Sequence, residues 1–501
     1  MKRQQETTCP YCGVGCGVRA QIDDDQVIAV SGSQGHPANR GKLCVKGSAL
    51  HETLSADARL LVPKVSGQET DWDTAIQAVA KGLKDTIAQH GPDSVAFYVS
   101  GQLLTEDYYV ANKLMKGFIG SGNIDTNSRL CMSSAVAAYK RSFGSDTVPA
   151  SYDDLDAADL LVLVGSNAAW THPVLFQRMQ AARQAAVGKH KRLVVIDPRA
   201  TATAQAADLH LPLAPGSDAV LFNGLLAWMD AQGQLDQNYI QRHTEGFTAS
   251  LSMARRTAGS VAEVARHCEL PEADVLQFFQ WFAETAKTVS FFSMGINQST
   301  SGVDKANAII NVHLATGRVG KPGASPFSIT GQPNAMGGRE VGGLANQLVA
   351  HMSWEFPDDI ARVARFWRAD NMASGPGVTA TDMFDQVADG TIKAIWIMAT
   401  NPVVSMPDAD KVKAALARCE LVVVSDCMAN TDTVALADIC LPATGWSEKD
   451  GTVTNSERRI SRQRALVPAM GAARHDWWII TQVARAMGFA SAFPYDSAVD
   501  V

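Results

Sequence analysis

Two hydrophobic rhythms alternate along this chain, one of period two and one of helical period, and together they predict a succession of strands and helices. Residues 18–22 and 27–30 flank the polar turn Asp23-Asp24-Asp25 and predict a short hairpin. From Trp72, apolar residues at Ala75, Ile76, Val79, Leu83 and Ile87 keep helical spacing as far as Gly91-Pro92. The apolar run 94–99 then predicts a buried strand, and 105–118 a second helix. Residues 120–134 read as a polar loop rich in glycine and serine, with Cys131 where helix resumes.

The next unit carries the fold. Residues 158–164 read as a strand buried on both faces, Gly165-Ser166-Asn167 as a turn, the stretch from Pro173 as a helix and 192–196 as a second strand ending at Asp197-Pro198-Arg199. The same βαβ order returns late in the chain. Strand 394–399, turn Thr400-Asn401-Pro402, helix 410–417 and strand 420–424 end at Ser425-Asp426. Each copy places a polar turn with an asparagine after the first strand and an acid after the second. In open parallel sheets ligands sit at the carboxyl ends of strands, where a turn can approach phosphate and an acid can bond a ribose or base. Neither turn is G-x-G-x-x-G, and the acid lies beyond the usual spacing of about 20 residues. A bound dinucleotide and a pair of doubly wound segments without any ligand are both consistent with this pattern.

Residues 200–290 predict mainly helical scaffold. Residues 295–343 differ, with Gly295, Gln298, Gly331, Gln332, Asn334 and Arg339 among many glycines and amides. So much glycine makes poor core and suits backbone lying against an anionic ligand; a flexible surface loop is the plainer reading. Gly451, Thr452 and Asn455 belong to another polar glycine turn, followed by paired arginines.

Composition narrows the class. At 501 residues the chain is long enough for several domains. The formal net charge is -7 with no long basic run, which argues against nucleic acid and against an anionic membrane surface. No apolar stretch approaches membrane-spanning length and no export signal is visible, so a cytoplasmic location is expected.

Cysteine placement carries the chemistry. Cys9, Cys12 and Cys16 stand at C-x2-C-x3-C spacing on a glycine-rich loop, and Cys44 follows at a distance. Four thiolates suit tetrahedral zinc or a [4Fe-4S] cluster; a triplet followed by one distant cysteine favours the cluster over zinc, and over a disulfide pair more strongly. Cys268, Cys419, Cys427 and Cys440 read as small buried hydrophobes, and His172, ahead of Pro173, as packing or helix start.

Taken together, these residues resemble the molybdopterin oxidoreductases that carry a molybdenum-bis(molybdopterin guanine dinucleotide) and an N-terminal [4Fe-4S] cluster. The carriers are the four cluster cysteines, the segment 127–134 around Cys131, the turn at Gly165, Asp197-Pro198-Arg199, the segment 330–334 and the run at Gly451. Within that family, Leu130-Cys131-Met132 and the segment 336–342 look most like cytoplasmic assimilatory nitrate reductases, with periplasmic nitrate reductases next.

The resemblance implies an α/β multidomain fold: a small iron-sulfur module at 1–60 and two doubly wound parallel-sheet domains that sandwich the pterin cofactor. One of these is discontinuous, 61–140 with 340–470, and the other spans 141–339, each binding one guanine dinucleotide. Residues 471–501 would begin a C-terminal region, with the family's C-terminal β-rich domain missing. Gly165, Ser166, Asn167 and Asp197 would serve one dinucleotide, and Asn401, Ser425 and Asp426 the other. Gly295, Gln298, Gly331, Gln332, Asn334, Gly451, Thr452 and Asn455 would complete the cofactor contacts. Cys131 would ligate molybdenum, Met132 would wall the pocket, Arg339 would guide or hold nitrate, and Lys46 would pass electrons from cluster to pterin.

The activity so implied is molybdenum-dependent reduction of nitrate to nitrite by oxygen-atom transfer, in nitrate assimilation. The electron donor would be ferredoxin, flavodoxin or an NADH-linked reductase subunit. Two other readings stand beside it. A formate dehydrogenase of the same family would typically carry a histidine where Met132 stands, to handle protons. A non-catalytic electron-transfer or scaffold relative would have no use for Cys131. Taken without the resemblance, Lys46 reads as a solvated surface lysine, Arg339 as a partner of Glu340 or another acid, and Met132 equally as core or pocket.

Overall fold

The computed structural model describes residues 2–186 and 190–501. The chain forms two compact units: unit 1 is Met1–Leu130, Gln332–Asn455 and Arg459–Val501, and unit 2 is Cys131–Gly331 and Ser456–Arg458.

Unit 1 begins with a three-stranded antiparallel sheet, Arg3–Thr8, Gly17–Asp23 and Gln26–Gly32 in that order. The hairpin expected around Asp23 to Asp25 is present. Asp24 and Asp25 both have positive φ, 45° and 60°, as the tightest right-twisting hairpin turns demand. The partner strand Arg3–Thr8 carries little hydrophobic signal, because it is a polar edge strand buried only at Thr7 and Thr8. Thr8 pairs with Gly17, so the cysteine loop is the connection of this first hairpin.

The main sheet of unit 1 has seven strands in the order Gln68–Glu69, Lys64–Val65, Ile439–Pro442, Leu421–Asp426, Ala394–Met398, Val95–Val99, Ile124–Thr126. All pairs from Ile439–Pro442 to Ile124–Thr126 are parallel, and the short edge pair is antiparallel. Alternate residues of one strand feed two cores, which explains why these strands read as unbroken apolar runs. Phe97, Val99, Trp396 and Met398 join the helices Trp72–His90, Thr105–Asn112 and Asp476–Ala484 on one face. Ala96, Tyr98, Ile395 and Ile397 join Ala380–Asp389 and Ala409–Leu416 on the other. The last of these helices opens on Asp408, whose carboxylate accepts from Lys411 N–H.

Unit 2 holds a five-stranded, wholly parallel sheet in the order Leu209–Leu211, Arg192–Ile196, Leu160–Val164, Thr288–Phe292, Ser325–Ser328. Five helices between Asp218 and Glu284 fill the region expected to be helical and pack on Leu160, Val162, Val164, Val194 and Ile196. Strand Thr288–Phe292 was not legible at the end of that helical run. The polar loop expected over 120–134 is shorter than its composition suggests: it contains strand Ile124–Thr126, and the helix Ser128–Phe143 starts before Cys131. Among the described residues, no helix is long and apolar enough to cross a membrane.

Candidate functional site

The cysteine loop is held by its own backbone. Cys9 N–H donates to Cys16 O at 2.8 Å, and Gly15 N–H to Cys12 O at 3.2 Å. Asn455, buried in the same unit, donates through Nδ2 to Val14 O, and a Cβ on Gly15 would stand 2.6 Å from Asn455 Cβ. Burial raises the thiols of Cys9, Cys12 and Cys16, each also feels the charge of other cysteines in the set, and the amides of Tyr11 and Val14 draw Cys9 and Cys12 the other way. Among the described residues no three His, Cys, Asp or Glu side chains close around a single ion; Cys9, Cys12, Cys16 and Cys44 would hold a cluster, a larger object than one ion. Burial pushes the Cys9 thiol up to about 12 and raises Cys12 and Cys16 as well, so without a metal these three sulfurs stay protonated. A cationic iron cluster supplies the compensating charge, and this donor set fits it. Lys46, exposed on the short helix Val45–Ser48, lowers the pKa of Cys9 and Cys12 through its charge.

Each parallel sheet carries a cavity at the carboxyl ends of its strands, where the strand order reverses, the place such sheets bind ligands. In unit 2 the reversal lies between Leu160–Val164 and Thr288–Phe292. A cavity of about 600 Å³ there is lined by Gly165, Asn167, Asp197, Arg199, Gly295, Gln298 and Lys305 among others. Gly165 has φ +54°, and a Cβ on Gly295 would stand 2.6 Å from Gly165 Cα, so the floor admits only glycine. Ser166 Oγ is buried with no partner among the described residues, and Lys305 pairs with Asp218 at 2.8 Å.

In unit 1 the reversal lies between Val95–Val99 and Ala394–Met398. A cavity of about 250 Å³ is lined by Cys9, Pro10, Gln102, Ala399, Asp426, Trp446, Lys449 and Asp476 among others. It runs from the cluster loop to the strand ends. Lys449 Nζ meets Asp476 Oδ2 at 2.8 Å, while Asp476 Oδ1 is buried without a partner among the described residues. Buried polar atoms left unpaired are costly, and Asp476 Oδ1 in the unit 1 cavity fits a polar ligand that completes it.

The two cavities are one design used twice. Gly165 N–H donates to Ile196 O at 2.9 Å, and Ala399 N–H to Ser425 O at 2.9 Å. Asp197 Oδ1 accepts from Arg199 N–H at 2.9 Å, and Asp426 Oδ1 from Met428 N–H at 2.9 Å. Asp208 Oδ2 accepts from Leu193 N–H at 2.7 Å, and Asp438 Oδ2 from Val422 N–H at 2.8 Å. The correspondence has a sequence signal that a search for turns and strands passes over: T-x-T-x3-A-D-[L/I]-x-L-P occurs at Thr201 to Pro212 and again at Thr431 to Pro442. Asp476 was also missed, because it lies on a helix far along the chain from either βαβ segment.

Cys131 is 7% exposed, on the helix Ser128–Phe143. Burial raises its pKa, so a place near the start of a helix does not by itself yield a thiolate here; the neighbouring Gly331 amide acts the other way. Met132 is buried beside it, its Sδ taking Asn297 Nδ2 at 3.6 Å. His172 is wholly buried, Nε2 against Thr330 O at 2.7 Å, in keeping with a packing role. Arg339 lies in unit 1, 2% exposed, and donates to Met336 Sδ; Glu340 accepts from Thr454 Oγ1.

Several expected cofactor contacts use their side chains inside the protein. Asn334 bridges Leu103 O and Thr454 N–H, Ser425 Oγ accepts from Trp396 Nε1, and Thr452 is held by Glu106. Gly451, in the strand Gly451–Thr454, is not a lining residue of the unit 1 cavity, nor is Asn401, whereas Cys427, expected as plain core, is one. Gln332 Oε1 is buried without a partner among the described residues.

A family model described as molybdopterin oxidoreductase matches residues 59–486, and one described as molybdopterin oxidoreductase Fe4S4 domain matches residues 3–56. The chain is 55% identical over 500 residues to a nitrate reductase from Klebsiella oxytoca, covering 99% of this chain and 56% of that protein. It is 52% identical to a nitrate reductase from Shewanella frigidimarina, covering 99% and 53%. It is 33% identical to the F420-dependent formate dehydrogenase subunit alpha of Methanocaldococcus jannaschii, covering 99% and 72%. The chain thus spans little more than half the length of the first two relatives. Among solved structures, acetylene hydratase from Pelobacter acetylenicus matches with a TM-score of 0.79 at 20% identity, covering 99% of this chain and 71% of that one, a likeness of fold.

Proposed function

Because the chain belongs to the molybdopterin oxidoreductases, we propose that it reduces nitrate to nitrite in the cytoplasm, for nitrate assimilation, using a molybdenum-bis(molybdopterin guanine dinucleotide) fed through a [4Fe-4S] cluster. The observation that carries this reading is the buried Cys131–Met132 pair, a sulfur faced by the Gly331 backbone beside an apolar neighbour. The nitrate reductase relatives support the substrate. The formate dehydrogenase relative favours a second reading, against which Met132 weighs, since it offers no proton to transfer.

In this reading Cys9, Cys12, Cys16 and Cys44 hold the cluster, and the amides on Cys9 and Cys12 together with the charge of Lys46 favour its more negative, reduced state. Lys46 is the step inward. Gly165, Asn167, Asp197, Gly295 and Gln298 receive one guanine dinucleotide, and Asp426, Lys449 and Asp476 the other. When bound, molybdenum supplies two-electron oxygen-atom transfer. Cys131 would give it a charge-donating sulfur, beside which the backbone of Gly331 lies. Arg339 guides and holds nitrate, since a planar guanidinium matches a planar oxyanion. Met132 excludes water from the pocket wall. Ferredoxin, flavodoxin or an NADH-linked reductase subunit supplies the electrons. In the test, Cys131→Ser made in a cofactor-competent host keeps its iron and loses nitrate-dependent oxidation of reduced viologen; full retention of that oxidation overturns the reading.

A further inference from the structure

Behind the turn that follows the first strand of each repeated βαβ unit stands the same buried hydroxyl. Thr203 and Thr433 are each fully buried and occupy the same place in the repeated T-x-T motif. In unit 2, Thr203 Oγ1 donates to Asn167 Oδ1 at 2.8 Å and accepts from Ala169 N–H at 3.0 Å. In unit 1, Thr433 Oγ1 donates to Asn401 Oδ1 at 2.6 Å and accepts from Val403 N–H at 3.3 Å. A hydroxyl has a single proton, and here it is directed at the asparagine in both copies.

This clasp decides what the turn offers. With Oδ1 engaged, each asparagine is fixed with its Nδ2 as the remaining donor, and among the described residues neither Nδ2 has a protein partner. Asn167 lines the 600 Å³ cavity. The turn before each asparagine is held in left-handed backbone, Gly165 at φ 54° and Ala399 at φ 55°. Alanine adopts that state at a cost, and such strain persists only where the surroundings over-determine it. The hydroxyl that ties each turn to the loop after the second strand is one of those constraints.

We propose that Thr203 and Thr433 are positioning residues, each fixing the asparagine amide that donates to a phosphate or ribose oxygen of a guanine dinucleotide. This rests on the guanine-dinucleotide reading above. Valine has the same shape without the hydroxyl and frees the asparagine to turn; serine keeps the hydroxyl.

The experiment is calorimetric titration of the full chain, purified from a host that makes no pterin cofactor, with guanosine diphosphate. Wild type binds two equivalents. Thr203→Val weakens by about tenfold the class of site that Asn167→Ala removes, and Thr433→Val does the same for the class that Asn401→Ala removes. Thr203→Ser and Thr433→Ser restore wild-type binding, which a purely structural loss would not show selectively at one site. Wild-type affinity at both sites in both valine variants overturns the clasp while leaving the cavities as nucleotide sites. Absence of guanosine diphosphate binding by wild type overturns the dinucleotide reading, and the clasp falls with it.

Discussion

The backbone of Gly331 lies against the sulfur of Cys131, two residues far apart in sequence within one unit. A Cβ at Gly331 would stand 3.5 Å from Cys131 Sγ, ordinary contact distance, with nothing else within 4 Å. Gly331→Ala therefore folds with an unchanged melting temperature, yet sets a methyl against the sulfur. Nitrate turnover should fall by roughly ten- to a hundredfold. Steady-state kinetics beside a thermal melt checks both halves.

The cluster loop is less forgiving. Gly15 combines φ +65° with a Cβ position 2.6 Å from Asn455 Cβ, so Gly15→Ala meets both backbone strain, about 1–2 kcal/mol, and a clash. Purified Gly15→Ala should contain less iron than wild type. Cys16→Ser should in addition lose nitrate reduction driven by the physiological donor. Wild-type iron content in Gly15→Ala would show that the loop geometry does not matter for the cluster.

Legibility followed burial. Strands Val95–Val99, Leu160–Val164 and Ala394–Met398 were readable because both faces are covered and the residues form unbroken apolar runs. Arg3–Thr8 was not, being a half-exposed polar edge, and Thr288–Phe292 merged with the helical region before it. Within the candidate site, the turns at Gly165 and Asn401 were visible as breaks in pattern. What takes each polar group was not visible: Asn334 is consumed by Leu103 and Thr454, and Ser425 by Trp396. Thr203 and Thr433 carry no periodicity and emerge only when the two copies are laid side by side.

Arg59 and Glu448 form a bidentate pair, 2.8 and 2.9 Å, with side chains 6% and 0% exposed. Arg59→Ala strands a buried carboxylate and should destabilise unit 1 by about 3–5 kcal/mol. The double variant Arg59→Met with Glu448→Leu should recover most of that loss. Denaturant unfolding of the two singles and the double closes the cycle; equal losses for single and double would contradict it.

His313 is fully buried in unit 2, Nε2 on Ser290 Oγ at 2.8 Å, and burial first, the charge of Arg318 second, hold its pKa well below the usual imidazole value. The unfolded chain takes up a proton near pH 6.5 that the folded chain refuses. The stabilisation is present above about pH 6.5 and is lost as pH falls below it, at up to about 1.4 kcal/mol per pH unit. His313→Gln should flatten this limb of a stability-against-pH curve; an unchanged slope would remove His313 as its source.

The central claim is nitrate reduction at a molybdenum centre held by Cys131. The most direct measurement supplies the molybdenum-loaded protein with reduced viologen and nitrate, and in parallel with oxidised viologen and formate, and assays nitrite and carbon dioxide. Nitrite formed stoichiometrically with viologen oxidation, and no formate oxidation, is the predicted result. Formate oxidised to carbon dioxide without any nitrite would contradict it.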